Sequence, residues 1–171
     1  MKKYLPLLFV CASIAVSACA QTKKTTTAVA TPAQQAPAAG TAYDWVKISR
    51  GACFGRCPIY TVKVLPNGFV QYYGQRFVTH EGLFEKQWPS AEVAGIFRDF
   101  ETYRVDTCQN NYPVRVTDLP TLTIEYSYRG ETRKITNANF GPGLLTVLAK
   151  EIDAVAQVDE TWKKTGDAAP E

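Results

Sequence analysis

The sequence predicts an α+β domain: an antiparallel sheet of about six strands with two helices packed on one face. Three observations predict it. Short β-branched and aromatic runs are joined by Pro66-Asn67-Gly68 and Arg129-Gly130-Glu131, turns that make hairpins and so antiparallel neighbours. Two other segments switch to helical spacing, each with a single apolar stripe. In residues 122–129, Leu122, Ile124, Tyr126 and Tyr128 alternate with Thr123, Glu125, Ser127 and Arg129, so one sheet face is wet.

The predicted order is β-β-β-β-α-β-β-α. Residues 45–50 (WVKISR) form a short first strand, and residues 59–65 (IYTVKVL) a β-branched, alternating second. Gly68 supplies the positive φ of a tight hairpin, residues 69–77 return, and a fourth extended segment covers about 78–88. Gly74 and Gly82 mark bulges or turns in these strands. Pro89-Ser90 then changes the period. Val93, Ile96, Phe97 and Phe100 recur at helical spacing after a Ser cap, with Glu92 in the first turn. Residues 105–119 are turn-rich and irregular. Strands at 122–129 and 132–137 form the second hairpin. Gly141-Pro142 opens the last helix with proline at its first position, and Leu145, Leu148, Ile152 and Val155 give its stripe, widened by Leu144 and Val158 with Trp162 near the end.

Around this domain, residues 43–163, the chain has three other parts. Residues 1–18 read as a signal peptide: Lys2 and Lys3 precede an apolar stretch too short to span a bilayer comfortably. Val16-Ser17-Ala18-Cys19 resembles the lipobox of bacterial lipoproteins, which makes Cys19 the lipidated, palmitate-bearing N-terminus. An ordinary cut after Ala20 is the alternative. Ala20 after the cysteine resembles the pattern of lipoproteins sent to the outer membrane, facing the periplasm. Residues 19–42, rich in Ala, Thr, Pro and Gln, read as a disordered tether with a reach of roughly 25 Å. Residues 164–171 read as a flexible tail.

Charge excludes one class of partner. The chain has 19 basic and 16 acidic residues, and Lys2 and Lys3 belong to the leader, so the domain is near neutral. It has no basic footprint and no nucleic-acid-binding motif, and nucleic acid is set aside.

The stretch CFGRCPIY, residues 53–60, is the chemically loaded one. Export past the cytoplasmic membrane exposes thiols to oxidation. Cys11 is removed and Cys19 carries lipid, leaving Cys53, Cys57 and Cys108 and at most one intramolecular disulfide. Chain entropy assigns about 2 kcal/mol to closing Cys53 with Cys57 and roughly 4 to the longer Cys53–Cys108 loop. The short bridge is the expected one, since proximity during folding favours it, Gly55 supplies a turn and Pro58 fixes the exit into the strand. Thiol redox chemistry is a competing reading, although thioredoxin-like motifs are one residue shorter and precede a helix. A zinc site would have to gather Cys53, Cys57, Cys108 and His80, the single histidine, and no metal is expected. His80 alone reads as an exposed side chain.

Residues 51–60 (GACFGRCPIY), the Pro-Asn-Gly hairpin and residues 116–120 (VTDLP) together resemble an uncharacterised bacterial family of secreted or lipid-anchored domains, a domain of unknown function. In that family a C-F-G-x-C-P-x-Y motif opens the domain and a D-x-P element follows about sixty residues later. The resemblance implies an architecture and no activity. It singles out two charges, Arg56 and Asp118, as a structural ion pair joining the cysteine loop to the D-x-P turn, as the floor of a ligand site, or as two residues that make no contact, the ion pair being the expectation.

No nucleophile-and-base motif and no phosphate-cradling glycine loop occurs, so no catalytic residue and no cofactor is expected. The leading expectation is a non-catalytic, disulfide-stapled envelope lipoprotein, held to the membrane through Cys19, that binds another envelope protein or peptide. Phe69, Tyr72, Tyr73, Phe77, Phe84 and Trp88 are its candidate aromatic face. The alternative is a periplasmic thiol oxidoreductase or other enzyme that uses the Cys53/Cys57 loop.

Overall fold

The computed structural model describes residues 40–114, 116 and 118–170. The expected signal peptide, the lipidation site Cys19 and nearly all of the tether lie outside them. The strands are β1 (Tyr43–Arg50), β2 (Ile59–Val64), β3 (Phe69–Arg76), β4 (Gly82–Gln87), β5 (Leu122–Tyr128), β6 (Glu131–Ile135) and β7 (Lys163–Gly166). The helices are α1 (Ser90–Thr102) and α2 (Gly143–Val155). The strands make one antiparallel sheet in the order β6-β5-β1-β2-β3-β4-β7. Among the described residues no helix is long and apolar enough to cross a membrane.

Alternation sets which face is covered. Val46 and Ile48 of β1, Val62 and Val64 of β2, Val70 and Tyr72 of β3, and Leu122, Ile124 and Tyr126 of β5 enter one core. Val93, Ile96, Phe97 and Phe100 of α1 and Leu145, Leu148, Ala149 and Ile152 of α2 belong to the same core. The two helices meet opposite ends of the strands. Near the end of α1, the Phe100 carbonyl accepts from the Tyr43 hydroxyl at the start of β1, 3.4 Å away. The last turns of α2 meet Arg50 and Tyr60 at the other end of β1 and the start of β2.

The sheet has seven strands where six are expected. Lys163–Gly166 pairs with β4 although all of it but Lys163 lies in the segment read as a flexible tail. A Lys-Lys-Thr-Gly run has no apolar alternation to announce a strand; the open backbone of β4 supplies its partners. The last helix also ends sooner than its stripe implies. Ala156 caps it, and Trp162 enters the core from the following turn. Pro89 and Pro142 occupy the two N-cap positions, and neither helix has a side-chain cap bond, so Ser90 is a first-turn residue instead of the expected cap.

Candidate functional site

The motif CFGRCPIY connects β1 to β2. Its cysteines are bridged: Cys53 and Cys57 form a disulfide across a Cα–Cα distance of 5.7 Å. Gly55, at φ 144°, donates its N–H to the Cys53 carbonyl at 3.0 Å, a conformation that side-chain-bearing residues rarely adopt. The bridge takes both sulfurs out of any thiolate ligand set. Among the described residues no group of His, Cys, Asp and Glu is placed to hold a metal ion. Cys108 is a free, half-buried thiol beside the core.

Beyond the bridge, Pro58 and Tyr60 form one wall of a groove of about 400 Å³. Tyr72, Phe77 and His80 come from β3 and the turn after it, and Asp153 and Val158 from α2 and the chain beyond it. Gly74 brings the turn down onto the strand: a Cβ there would lie 1.9 Å from the His80 carbonyl. The register of β2 with β3 shifts between Ile59 and Tyr60, and Phe77 has φ 57°. Bulge and left-handed backbone re-aim the end of β3 toward the cysteine loop.

The groove floor is a polar network that sequence reasoning missed. Asp153 accepts from Arg50 Nη2 at 2.5 Å and Nε at 3.1 Å, both to Oδ2, while its Oδ1 accepts from the Tyr60 hydroxyl at 2.7 Å. Burial pushes the Tyr60 phenol far up, and Asp153 adds to the shift. Burial also pushes Tyr72 up to about 12. Burial works against the charge of Arg50, but the bond to Asp153 and its attraction outweigh that, and the guanidinium is raised. Both phenols are therefore neutral at ordinary pH, and the Tyr60 hydroxyl already donates its hydrogen bond to Asp153.

A signal for this network exists in the pattern. Arg50 and Tyr60 fall on the inward parity of strands otherwise filled by Val46, Ile48, Val62 and Val64, and Asp153 follows Ile152 beside the apolar stripe of α2. Charges and hydroxyls at such positions need buried partners.

Other expected residues are placed as follows. His80 is half-buried and lines the groove, its ring edge-on to Phe84 with centroids 5.8 Å apart, where an exposed side chain was the expectation. The six aromatics do not share a face. Phe69 and Tyr73 lie on the uncovered side of the sheet by strand parity, Tyr72 and Phe77 line the groove, and Phe84 and Trp88 pack against the core. The expected pair of Arg56 with Asp118 is not among the ion pairs of the described residues. The cysteine loop leans the other way, and Arg56 is over the Phe77 ring, 5.5 Å from its centroid. Asp118 is an exposed bend residue before β5. The two segments do adjoin through backbone, since Gly51 donates to the Thr121 carbonyl at 2.9 Å. Asn139 ties down the same turn, donating to the Pro120 carbonyl and accepting from the Leu122 N–H.

One family model, Domain of unknown function (DUF6438), matches residues 44–156, more than half of the chain. The match takes in the cysteine loop, the end of β3 and the Arg50–Asp153 network and stops before β7. No curated protein matches the sequence.

Proposed function

The chain belongs to the DUF6438 family of domains of unknown function, and on that premise we propose that it is a non-catalytic binding module of the bacterial cell envelope whose ligand occupies the groove beneath the disulfide loop. The observation that carries this reading is how the motif is used. Pro58 and Tyr60, which follow the disulfide loop directly in the chain, build one wall of a concave site, and the opposite wall comes from distant parts of the chain. Its polar groups favour recognition over chemistry: Asp153 is held by two donors, and the phenols of Tyr60 and Tyr72 stay neutral. Aromatic walls with a few fixed polar groups are what ligand sites are made of.

The lipobox-like run supports an anchor on Cys19, and Ala20 after it supports the outer membrane, facing the periplasm, as the site where the tether holds the domain. The occupant is then an envelope protein or peptide. The test places a photo-crosslinking side chain at Thr79, in the groove, and another at Tyr103, exposed beyond α1 near the opposite end of β1. Illumination of intact cells should give a discrete adduct from Thr79 and none from Tyr103; equal or absent adducts would overturn the reading. In the same cells Cys19→Ser should release the protein from the membrane fraction and abolish labelling by a fatty-acid analogue.

A further inference from the structure

Next to the groove, and sharing Phe77, Val78 and Thr79 with it, is a second cleft of about 460 Å³ that also includes Arg56, Arg76 and Glu81. Two guanidiniums converge there on one ring: Arg76 is 4.7 Å and Arg56 5.5 Å from the Phe77 centroid. Ring quadrupoles attract such cations, but two like charges beside one ring repel each other. Three other arginines of the described residues have acids, Arg50 with Asp153, Arg98 with Asp99 and Arg104 with Asp106, while Arg129 lies alone over the Tyr128 ring. Among the described residues Arg56 and Arg76 have no carboxylate within ion-pair distance, Glu81 included.

The arrangement is built in the backbone. The disulfide closes the five-residue loop that carries Arg56. The bulge at the end of β3 turns Arg76, and the φ of 57° at Phe77, uncommon for an aromatic residue, sets the ring within reach of both guanidiniums. Backbone strain of this kind persists where surrounding structure imposes it and clusters at ligand clamps.

We infer that the cleft between Arg56 and Arg76 is an oxyanion site, which holds a carboxylate or phosphate group of the same ligand whose body fills the groove; this extends the binding reading and rests on it. Guanidinium forks match the two oxygens of either group, and an anion between them removes their mutual repulsion. Glu81 at the rim disfavours anions and so sets how strongly a ligand must be charged.

The test uses the full chain in micelles of an uncharged detergent, titrated at constant ionic strength with inorganic phosphate and, separately, with acetate. The side-chain Nε–H signals of Arg56 and Arg76 report by NMR. At least one anion should shift both signals to saturation, and the tighter probe identifies the oxyanion. Arg56→Gln or Arg76→Gln should each weaken that probe about tenfold, the loss expected for a charge-assisted bond. Both side chains are exposed, so the remaining spectrum checks that the fold persists. Glu81→Gln should tighten binding. Shifts that never saturate, that chloride reproduces, or that survive in both glutamine variants overturn the assignment. A Thr79 adduct that persists undiminished in the doubly substituted chain would overturn the oxyanion site and leave groove binding intact; loss of every Thr79 adduct in the unsubstituted chain would instead remove the reading beneath it.

Discussion

Asp153 is the residue on which the groove depends. It is one carboxylate at the edge of an apolar helix face, and it holds two side chains from two strands. Asp153→Ala leaves the half-buried Arg50 without its acid and should cost about 1–3 kcal/mol, whereas Tyr60→Phe removes one donor and should cost about 1 kcal/mol. In urea unfolding, Arg50→Ala combined with Asp153→Ala should lose less than the two single changes together; strict additivity would show that the pair is not coupled. Legibility at this scale follows chemistry. Cys53 and Cys57 were readable as a bridge because a separation of four residues, with Gly55 between them and Pro58 after them, brings the two sulfurs together locally. The contact of Arg56 was not readable, since charge suggests an acid and the fold supplies the ring of Phe77. The partner became visible only with the register shift that turns the end of β3.

At the scale of elements, hairpins and apolar stripes were legible because each is local: a turn between two alternating runs needs no knowledge of the rest. The disulfide loop is the most local of all. Replacing Cys53 and Cys57 together by Ser should lower stability by about 2 kcal/mol, the entropy of a closed five-residue loop. An unchanged denaturation midpoint would mean that the bridge does not constrain the unfolded chain. Pairing of β1 with β5 was not legible, being a contact between distant segments, and it creates a charge cluster on the uncovered face. Glu125 of β5 is bridged by Lys47 of β1 and by Lys134 of β6, the latter at 3.2 Å. Burial pushes the Glu125 carboxyl up, but the bonds and attraction of Lys47 and Lys134 prevail and hold it below the usual 4.5. A depressed folded value means stability that is present above the unfolded value and lost as pH falls through the folded one. The wild-type chain should therefore exceed Glu125→Gln by about 0.5–1 kcal/mol at neutral pH, the range of a partly exposed ion pair. Measured midpoints should converge below the ordinary carboxylate range. A gap that stayed constant into acid would assign the effect to packing instead of charge.

For the whole molecule, what the pattern did not reveal is how the sheet ends. One edge, β6, is met by the irregular segment before β5: Asn111 bridges to Thr136 just past the strand, and Arg133 donates to the Asp106 carbonyl at 2.6 Å. The other edge is closed by β7, whose residues carry no apolar signal and lie outside the matched family span. Its place is set by β4, since Gly82 admits the Gly166 carbonyl so closely that a Cβ there would be 2.7 Å away. β7 therefore works as a cover strand, with two lysines that suit an outer edge exposed to other chains. Ending the chain after Trp162 tests this. Trp162, the last core residue, remains, so the fold should persist with a loss of about 1 kcal/mol for the missing backbone bonds. The β4 amides that pair with β7 should then exchange with solvent at least tenfold faster, while those of β1 and β5 change little. With Leu83 and Phe84 flanked by an open backbone edge, the shortened chain should also self-associate as its concentration rises. If β4 stayed as protected as in the full chain and no association appeared, β7 would be an ornament on a sheet already complete at β4.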